Sequence, residues 1–195
     1  MTTLKIAVVC ASNMNRSMRA HEMLKKHDYD VSSFGTNNEV RLPGKSISSQ
    51  NVYNFGTPYE DMIHDLATDD LEFYSSNKIL DMLERNKKIK RAPERIQSVE
   101  QLNFDLVITY ENKVFEKVII DYHKRTKRIH SHRPTFLVNL ETIDSQQEAE
   151  LCAKKTLDLV KKFEKYDNYE DNFEKLIEEF EEHINHNILY SVLFY

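Results

Sequence analysis

Residues 4–10 constrain the fold of this chain more than any other segment. They read Leu-Lys-Ile-Ala-Val-Val-Cys, an apolar run rich in β-branched residues with one polar side chain, Lys5. Such a run is typical of a short strand buried on both faces of a parallel sheet. Polar residues 11–15 follow, and an amphipathic pattern then continues to Lys26. This order predicts a strand, a turn and a helix in direct succession.

Further strands alternate with helices along the chain. A second strand is predicted at residues 31–35, and two more at 104–109 and 135–140. The helix between the last two carries the apolar residues Val114, Phe115, Val118 and Ile119. This alternation predicts an α/β fold, with a doubly wound, mainly parallel central sheet and helices on both faces. Only 3 glycines and 4 prolines occur, too few for the many tight turns of an all-β fold.

A long insertion, residues 36–100, separates the second and third strands. A turn signature at residues 40–44 predicts a hairpin, and helical periodicity follows at 59–67 and 69–88. We expect this inserted hairpin and helical segment to cover one edge or rim of the sheet. The whole chain, residues 1–195, is predicted to form a single domain.

The C-terminal part is predicted to complete the same domain. A helix at 145–165 precedes an amphipathic helix at 173–184 with an acidic outer face. Residues 188–195 are rich in strand formers, which predicts an edge strand or a partner surface. No apolar run reaches the roughly 18 residues needed to cross a bilayer. We therefore expect no signal peptide, no transmembrane span and no membrane partner, and an intracellular protein.

The segment after the first strand carries the candidate chemistry. Cys10 ends that strand, Arg16 lies six residues later, and a helix begins directly after. The intervening backbone can wrap around an anion, so that successive N–H groups and the helix N-terminus face one centre. That positive potential favours the nucleophilic thiolate of Cys10, and the planar Arg16 guanidinium can bind two phosphoryl oxygens. We predict a phosphate-binding loop formed by Ala11, Ser12, Asn13, Met14, Asn15 and Arg16.

The pattern of this loop resembles that of a known fold. C-x-x-N-x-x-R-S, with Cys10, Asn13, Arg16 and Ser17, is similar to the phosphate loop of low-molecular-weight protein tyrosine phosphatases. A closer similarity covers nearly the whole chain, through segments 8–18, 33–36, 40–44, 51–53, 82–86, 93–95 and the final Leu-Phe-Tyr. These segments resemble the eukaryotic RNA polymerase II C-terminal-domain serine phosphatases of the suppressor-of-SUA family.

The resemblance implies a phosphatase that works through a phosphocysteine intermediate without a cofactor. Its substrate would be phosphoserine-proline, chiefly the fifth-position serine, in the C-terminal heptad repeats of RNA polymerase II. It implies a role in transcription and mRNA 3′-end processing, and a nuclear location with the cytoplasm as a second compartment. A symplekin-type scaffold is the implied partner. A prolyl isomerase would act indirectly, by supplying the cis phosphoserine-proline bond.

The same resemblance gives roles to further residues. Ser17 would hydrogen-bond the Cys10 sulfur and ease its departure in the second step, while Asn13 would hold the loop. A groove for the substrate proline would be built by Arg41, Leu42, Pro43, Gly44 and Met82. The sequence departs from the family pattern at Arg19, in place of an acidic residue, and at 127–132, a slightly longer stretch.

The reaction also needs a proton donor, because a serine alkoxide is a poor leaving group. The Asp-Pro donor motif of the tyrosine phosphatases of this fold is absent. Asp144 is the candidate, because the carboxyl end of the preceding strand would place it over the phosphate loop, and the family resemblance supports it. Glu141 is the rival three residues earlier. Either carboxylate could instead cap the helix at 145–165.

Two other function classes stay open. A redox enzyme such as an arsenate reductase on the same fold would need a resolving cysteine, for which Cys152 is the candidate, although such cysteines are usually buried and structural. A binding module would use the loop for phosphopeptide and the basic runs at 85–91 and 123–128 for RNA. Such runs are more often solvated, so we do not expect direct nucleic-acid binding. The spacing of Cys, His, Asp and Glu also predicts no metal site.

Overall fold

The chain has an α/β fold, in which helices cover a central sheet and two further strands form a separate hairpin. The computed structural model describes residues 4–46, 49–126, 133–166 and 168–194. The strands are β1 (Lys5–Cys10), β2 (Asp30–Gly35), β3 (Val40–Pro43), β4 (Gln50–Tyr53), β5 (Leu106–Thr109), β6 (Pro134–Asn139) and β7 (Leu189–Phe194). The helices are α1 (Arg16–Lys25), α2 (Tyr59–Ser76), α3 (Ile79–Ile89), α4 (Asn112–Thr126), α5 (Gln146–Lys165) and α6 (Phe173–Ile184).

The main sheet has five strands in the order β2-β1-β5-β6-β7. β1 pairs in parallel with β2 and β5, and β5 pairs in parallel with β6. The last strand, β7, runs antiparallel to β6 and forms one edge. This order confirms the predicted mainly parallel sheet and the predicted C-terminal edge strand. β3 and β4 form the separate antiparallel hairpin predicted for the insertion, but residues 40–43, interpreted from the sequence as part of a turn, are its first strand.

Side chains that alternate along β1 face two different layers of helices. Ile6 and Val8 lie in a hydrophobic cluster with apolar residues of α1, α5 and α6. Ala7 and Val9 lie in a second cluster with apolar residues of α4. The prediction of helices on both faces is therefore confirmed. Among the described helices, none has the combination of length and apolar character needed to span a membrane.

The helices of the insertion end at positions other than those predicted. Sequence periodicity predicts a break near residue 68, but α2 continues to Ser76 and bends at Asp70, where the backbone is extended (φ −167°, ψ 88°). The Asp70 carboxylate accepts a hydrogen bond from the Phe73 N–H at 3.0 Å. The aspartate thus caps a second helical segment inside α2. The true end comes before Lys78, which has a left-handed φ of 60°.

A buried histidine couples the stability of this fold to pH. His21 of α1 is 8% exposed, and its Nδ1 lies 2.9 Å from Ser33 Oγ. Burial, with the positive charges of Lys90 and Lys25, lowers the pKa of His21 from 6.5 to about 4. As the pH falls, the unfolded state therefore binds this proton first. The stabilisation by neutral His21, about 3 kcal/mol, is present above about pH 6.5 and is lost between about pH 6.5 and 4.

We expect His21→Asn to reduce the pH dependence of folding stability. The free energy of unfolding of the wild type should fall more than that of the variant between pH 7 and 4.5, by about 2–3 kcal/mol. Urea denaturation followed by circular dichroism at both pH values measures this difference. Equal losses in the two proteins would assign the acid sensitivity to other groups.

Candidate active site

The predicted phosphate-binding loop, here called loop 10–16, joins the centre of the sheet to α1. Cys10 is the last residue of β1 and is 3% exposed, and Arg16 is the first residue of α1. The tight turn uses Asn13, which has a left-handed φ of 55°. Asparagine adopts this conformation more readily than most residues other than glycine. This explains how the loop turns without glycine.

Three buried side chains, two in the loop and Ser17 directly after it, form a hydrogen-bonded chain. Cys10 Sγ lies 3.1 Å from Ser17 Oγ, and Asn13 Nδ2 donates to Ser17 Oγ at 3.1 Å. The Asn13 amide thus satisfies one lone pair of the hydroxyl oxygen, and the hydroxyl hydrogen remains available for the sulfur. Three of the four residues that the sequence pattern singled out, Cys10, Asn13 and Ser17, are therefore linked by hydrogen bonds.

The guanidinium of Arg16 is held by contacts on two sides. Its Nη1 donates to the main-chain carbonyls of Tyr110 and Thr142, at 3.1 and 2.9 Å. Its Nη2 donates to Glu111 Oε2 at 3.0 Å and lies 3.4 Å from Asp144 Oδ2. The buried Nε has no hydrogen-bond partner among the described residues. One N–H of the guanidinium is therefore available for an anion, so the predicted contact to two phosphoryl oxygens does not fit this arrangement.

Charge around Arg16 reinforces its cationic state. Burial alone would lower the pKa of Arg16, but the negative charges of Cys10, Asp144 and Glu111 outweigh burial and raise it. The arginine therefore stays protonated at every accessible pH. A permanent cation beside a cysteine suits the binding of a phosphoryl group.

The insertion holds the carbonyl groups of loop 10–16. Tyr59 Oη donates to the Asn13 carbonyl at 3.0 Å. Asn86 Nδ2 and Arg85 Nη2 both donate to the Met14 carbonyl, at 2.7 and 2.9 Å. When carbonyls point out of such a loop, the neighbouring N–H groups can point inward, as an anion-binding loop requires. The residues of α2 and α3 that make these contacts were missing from the sequence prediction.

Tyr59 and Arg85, the two ionisable groups that donate to the loop carbonyls, are held in their protonated forms. Burial, followed by the charge of Cys10, raises the pKa of Tyr59 well above its usual value. Burial lowers the pKa of Arg85 to about 10, which still leaves it protonated at neutral pH. Both groups therefore continue to donate to the loop carbonyls over the physiological pH range.

We expect Asn86→Ala to weaken phosphate binding. Loss of a buried hydrogen bond of about 1–3 kcal/mol should relax the Met14 peptide, and lower kcat/KM for an aryl phosphate by about 10-fold. The affinity for orthovanadate should fall with it. Thr135→Val is the control, because it removes a buried hydrogen bond to the Phe104 carbonyl near the start of β6, at the other end of the sheet. Similar losses of activity in both variants would show a general stability effect.

The two carboxylates considered as proton donors have different surroundings. Asp144 accepts a hydrogen bond from Asn15 Nδ2 at 3.0 Å and is 57% exposed. Glu141 accepts from the backbone N–H of Asn112, the first residue of α4, at 2.8 Å. The cap of α5 is Ser145, whose hydroxyl accepts from the Glu148 N–H. The alternative that Asp144 caps this helix is therefore wrong, while Glu141 stabilises the start of α4.

Cys152 lies in a different environment from Cys10. It is buried, and Thr142 Oγ1 donates to its sulfur at 2.9 Å. Burial raises the pKa of Cys152 to about 11, so the thiol is neutral at physiological pH. Both cysteines are free. A neutral, buried thiol does not suit the resolving step of a reductase.

The residues predicted to form the substrate groove divide into two groups. Leu42 is buried and Met82 half-buried, and both belong to the hydrophobic cluster that contains Met14 of the loop. Arg41 and Pro43 are exposed on the opposite side of β3. Gly44 follows the strand, and its N–H donates to the Ser49 carbonyl at 3.0 Å. The groove itself stays a prediction.

The basic runs contain arginines with structural contacts. Arg85 contacts the loop, as described above, and Arg125 donates to the main-chain carbonyls of Val99 and Gln97. Residues 127–132, the end of the second run and the longer stretch noted in the sequence, lie outside the described residues. Among the residues that are described, no cluster of three or more His, Cys, Asp or Glu side chains could hold a metal ion.

Comparison with known proteins gives full-length similarities. The family model described as Ssu72-like protein matches residues 4–195. The RNA polymerase II C-terminal domain phosphatases SSU72 of Danio rerio and Homo sapiens are 44% and 41% identical over 192 residues, covering 98% of this chain and 97% of each relative. A solved structure of Drosophila melanogaster Ssu72 with symplekin holds a cis peptidomimetic of the C-terminal domain, phosphorylated on the fifth-position serine. It is 38% identical with a TM-score of 0.93 and covers 100% of both chains.

Proposed function

This chain belongs to the Ssu72-like protein family, and from that membership and its site we propose that it is a cysteine-dependent phosphatase of the RNA polymerase II C-terminal domain. The observation that carries the proposal is the arrangement around Arg16. Its guanidinium lies at the start of α1, directly after the loop that begins at Cys10, and contacts Asp144. The charge of Cys10 also acts on this guanidinium, so a nucleophile and a carboxyl group are both coupled to one anion-binding group.

In the first step, the Cys10 thiolate attacks the phosphorus atom of phosphoserine. The S–P bond forms as the P–O bond to the serine breaks. Asp144 enters this step as the neutral carboxylic acid, not as the carboxylate that pairs with Arg16 in the structure, and transfers its proton to the departing serine oxygen. Loop N–H groups and the free Nε–H of Arg16 stabilise the charge on the equatorial oxygens. Glu111 orients the same guanidinium through its 3.0 Å contact.

In the second step, water hydrolyses the phosphocysteine. The Asp144 carboxylate accepts a proton from the water, whose oxygen attacks phosphorus as the P–S bond breaks. The electron pair of that bond returns to Cys10 as a thiolate, and inorganic phosphate is released. Ser17, 3.1 Å from the sulfur, donates a hydrogen bond that stabilises the leaving thiolate.

The proposed substrate is the fifth-position phosphoserine followed by proline in the cis form. This choice is supported by the Drosophila melanogaster relative, whose structure holds a cis peptidomimetic phosphorylated on that serine, together with symplekin. A symplekin-type scaffold is the proposed partner. From this substrate and this partner we also propose a role in transcription and mRNA 3′-end processing, and a nuclear location.

A phosphopeptide panel tests this function. A heptad peptide with phosphoserine-proline should be hydrolysed with a kcat/KM at least about 10-fold above that of a peptide with alanine in place of the proline. Orthovanadate should inhibit, and a chelator should leave turnover unchanged. Activity that disappears in chelator and returns with a divalent cation would contradict the cysteine mechanism.

A prolyl isomerase should accelerate the reaction when enzyme is in excess. About 10–30% of X-Pro bonds are cis in flexible peptides, and exchange takes tens to hundreds of seconds at 25 °C. Progress curves should therefore show a fast phase of the cis fraction followed by a slow phase, and the isomerase should remove the slow phase. Superimposable curves with and without isomerase would contradict selection of the cis bond.

A further inference from the structure

A polar cavity lies beside loop 10–16. Its volume is about 610 Å³, and one wall is the segment after β2, beginning with Thr36. The Thr36 N–H lies within hydrogen-bond distance of the carbonyl oxygens of Cys10 and Ala11, at 3.1 and 3.0 Å. The wall of the cavity and the loop are therefore hydrogen-bonded neighbours.

Three residues in the cavity walls carry buried polar atoms that have no hydrogen-bond partner among the described residues. These atoms are Thr36 Oγ1, Arg95 Nε and Gln97 Oε1, and Thr36 is 2% exposed. The Gln97 amide nitrogen donates to the Thr36 carbonyl at 3.1 Å, which fixes the nitrogen on that side. Buried polar atoms without partners are destabilising. The walls therefore suit a ligand that carries both donors and acceptors.

The charge of the walls favours an anion. Glu39 pairs with Arg41 at 3.2 Å, and Asp121 pairs with Arg125 at 2.8 Å, so the two acidic residues of the cavity are already neutralised. No described carboxylate forms an ion pair with the other cations of the walls, which are Arg95, Lys117 and Lys124. Arg95 and Lys117 donate to the neutral side chains of Asn38 and Asn37, at 2.8 and 2.9 Å. These contacts leave three positive charges in the walls that no described carboxylate neutralises.

We propose that this cavity is a second phosphate subsite, which binds another phosphorylated residue of the peptide whose phosphoserine occupies loop 10–16. The proposal rests on the function proposed above. The second phosphate would accept from Arg95 and the two lysines, and a peptide N–H beside it would donate to Gln97. Cys10 pairs with Gly35 in adjacent strands, about 4.8 Å apart. Thr36, the residue after Gly35, therefore lies within the roughly 7–11 Å that an extended peptide covers in two or three residues, and we place the second phosphate at that spacing.

A peptide fits the cavity better than RNA does. No aromatic side chain among the described residues lines it, whereas single-stranded RNA is usually bound by stacking its bases on aromatic rings. The unpartnered Gln97 oxygen requires a hydrogen-bond donor, which the N–H of a peptide backbone supplies.

The test compares peptides with one and two phosphates. In the two-phosphate peptide, a phosphonate analogue that cannot be hydrolysed takes the place of the second phosphate. It lies two or three residues from the reactive phosphoserine. With the wild type, it should raise kcat/KM by about 5–30-fold, the usual range for charge-assisted contacts. The double variant Lys117→Gln and Lys124→Gln should lose this gain and hydrolyse the one-phosphate peptide within about twofold of wild type. Lys161→Gln with Lys165→Gln on α5 removes the same charge elsewhere and should keep the gain.

Other outcomes would overturn the subsite. Equal kcat/KM values of the wild type for the two peptides would contradict it. A gain in kcat/KM from the second phosphate that persists in the Lys117→Gln and Lys124→Gln double variant would contradict it as well. Single-stranded RNA or inorganic phosphate could instead inhibit turnover of the one-phosphate peptide. If this inhibition depended on Lys117 and Lys124, and the second phosphate gave no gain, the cavity would be reassigned to that ligand. Anisotropy measurements of Kd for the same peptides with Cys10→Ser protein test the subsite without turnover. If the wild type did not hydrolyse the one-phosphate peptide at all, this result would instead contradict the proposed function.

Discussion

Cys10→Ser should reduce phosphopeptide turnover by about 10⁴- to 10⁶-fold, the loss typical of removing an enzyme nucleophile. The serine hydroxyl is not ionised at neutral pH and has no general base within the hydrogen-bonded chain formed by Ser17 and Asn13. The substitution replaces sulfur with a smaller oxygen in a buried position and should leave the melting temperature nearly unchanged. Steady-state phosphate release measures the loss, and acid quenching of the wild type should trap a phosphocysteine.

Cys152→Ala is the matched control for Cys10→Ser. The buried sulfur of Cys152 contacts Thr142 and is far from ionisation at neutral pH, so this variant should keep its turnover apart from a modest loss of stability. If Cys152→Ala abolished activity and the wild type formed a Cys10–Cys152 disulfide readily, the redox hypothesis would replace the phosphatase mechanism.

Asp144→Asn should affect substrates according to their leaving groups. The side-chain amide keeps the size of Asp144 but has no acidic proton to transfer, so turnover of phosphoserine peptide should fall by about 10²- to 10⁴-fold. Hydrolysis of para-nitrophenyl phosphate should fall far less in its first step, because para-nitrophenolate leaves without protonation. A burst of para-nitrophenol is expected, because hydrolysis of phosphocysteine also uses Asp144 and becomes rate-limiting.

Glu141→Gln is the control for the acid. Its contact with the N–H of Asn112 predicts a mild effect on both substrates, through the start of α4. A large loss confined to the peptide in Glu141→Gln, with small and equal losses in Asp144→Asn, would move the role of acid to Glu141.

The sequence was sufficient for the features that depend on local patterns. Residues 4–10 form a strand buried on both faces, and the α1 periodicity begins directly after the loop. Because a buried parallel strand and an amphipathic helix have their own periods, the alternation of these patterns predicted a mainly parallel sheet. The position of Cys10 and Arg16 at the two ends of one loop followed from this order.

Contacts across long distances in the sequence could not be predicted. Tyr59 and Asn86 donate to the carbonyls of Asn13 and Met14 from 46 and 72 residues away. Single polar side chains of this kind leave no period in the sequence. A polar residue inside an apolar helical face, such as the fully buried Asn86, is the signal that could have found them.

The way Arg16 is anchored has an evolutionary consequence. Its Nη1 is fixed by the main-chain oxygens of Tyr110 and Thr142, and every amino acid supplies such an oxygen. Substitutions at these two positions therefore change the packing around the guanidinium without removing its acceptors. Lineages can drift at both positions while the arginine keeps its direction, and libraries that randomise them should retain more active members than libraries that randomise Glu111.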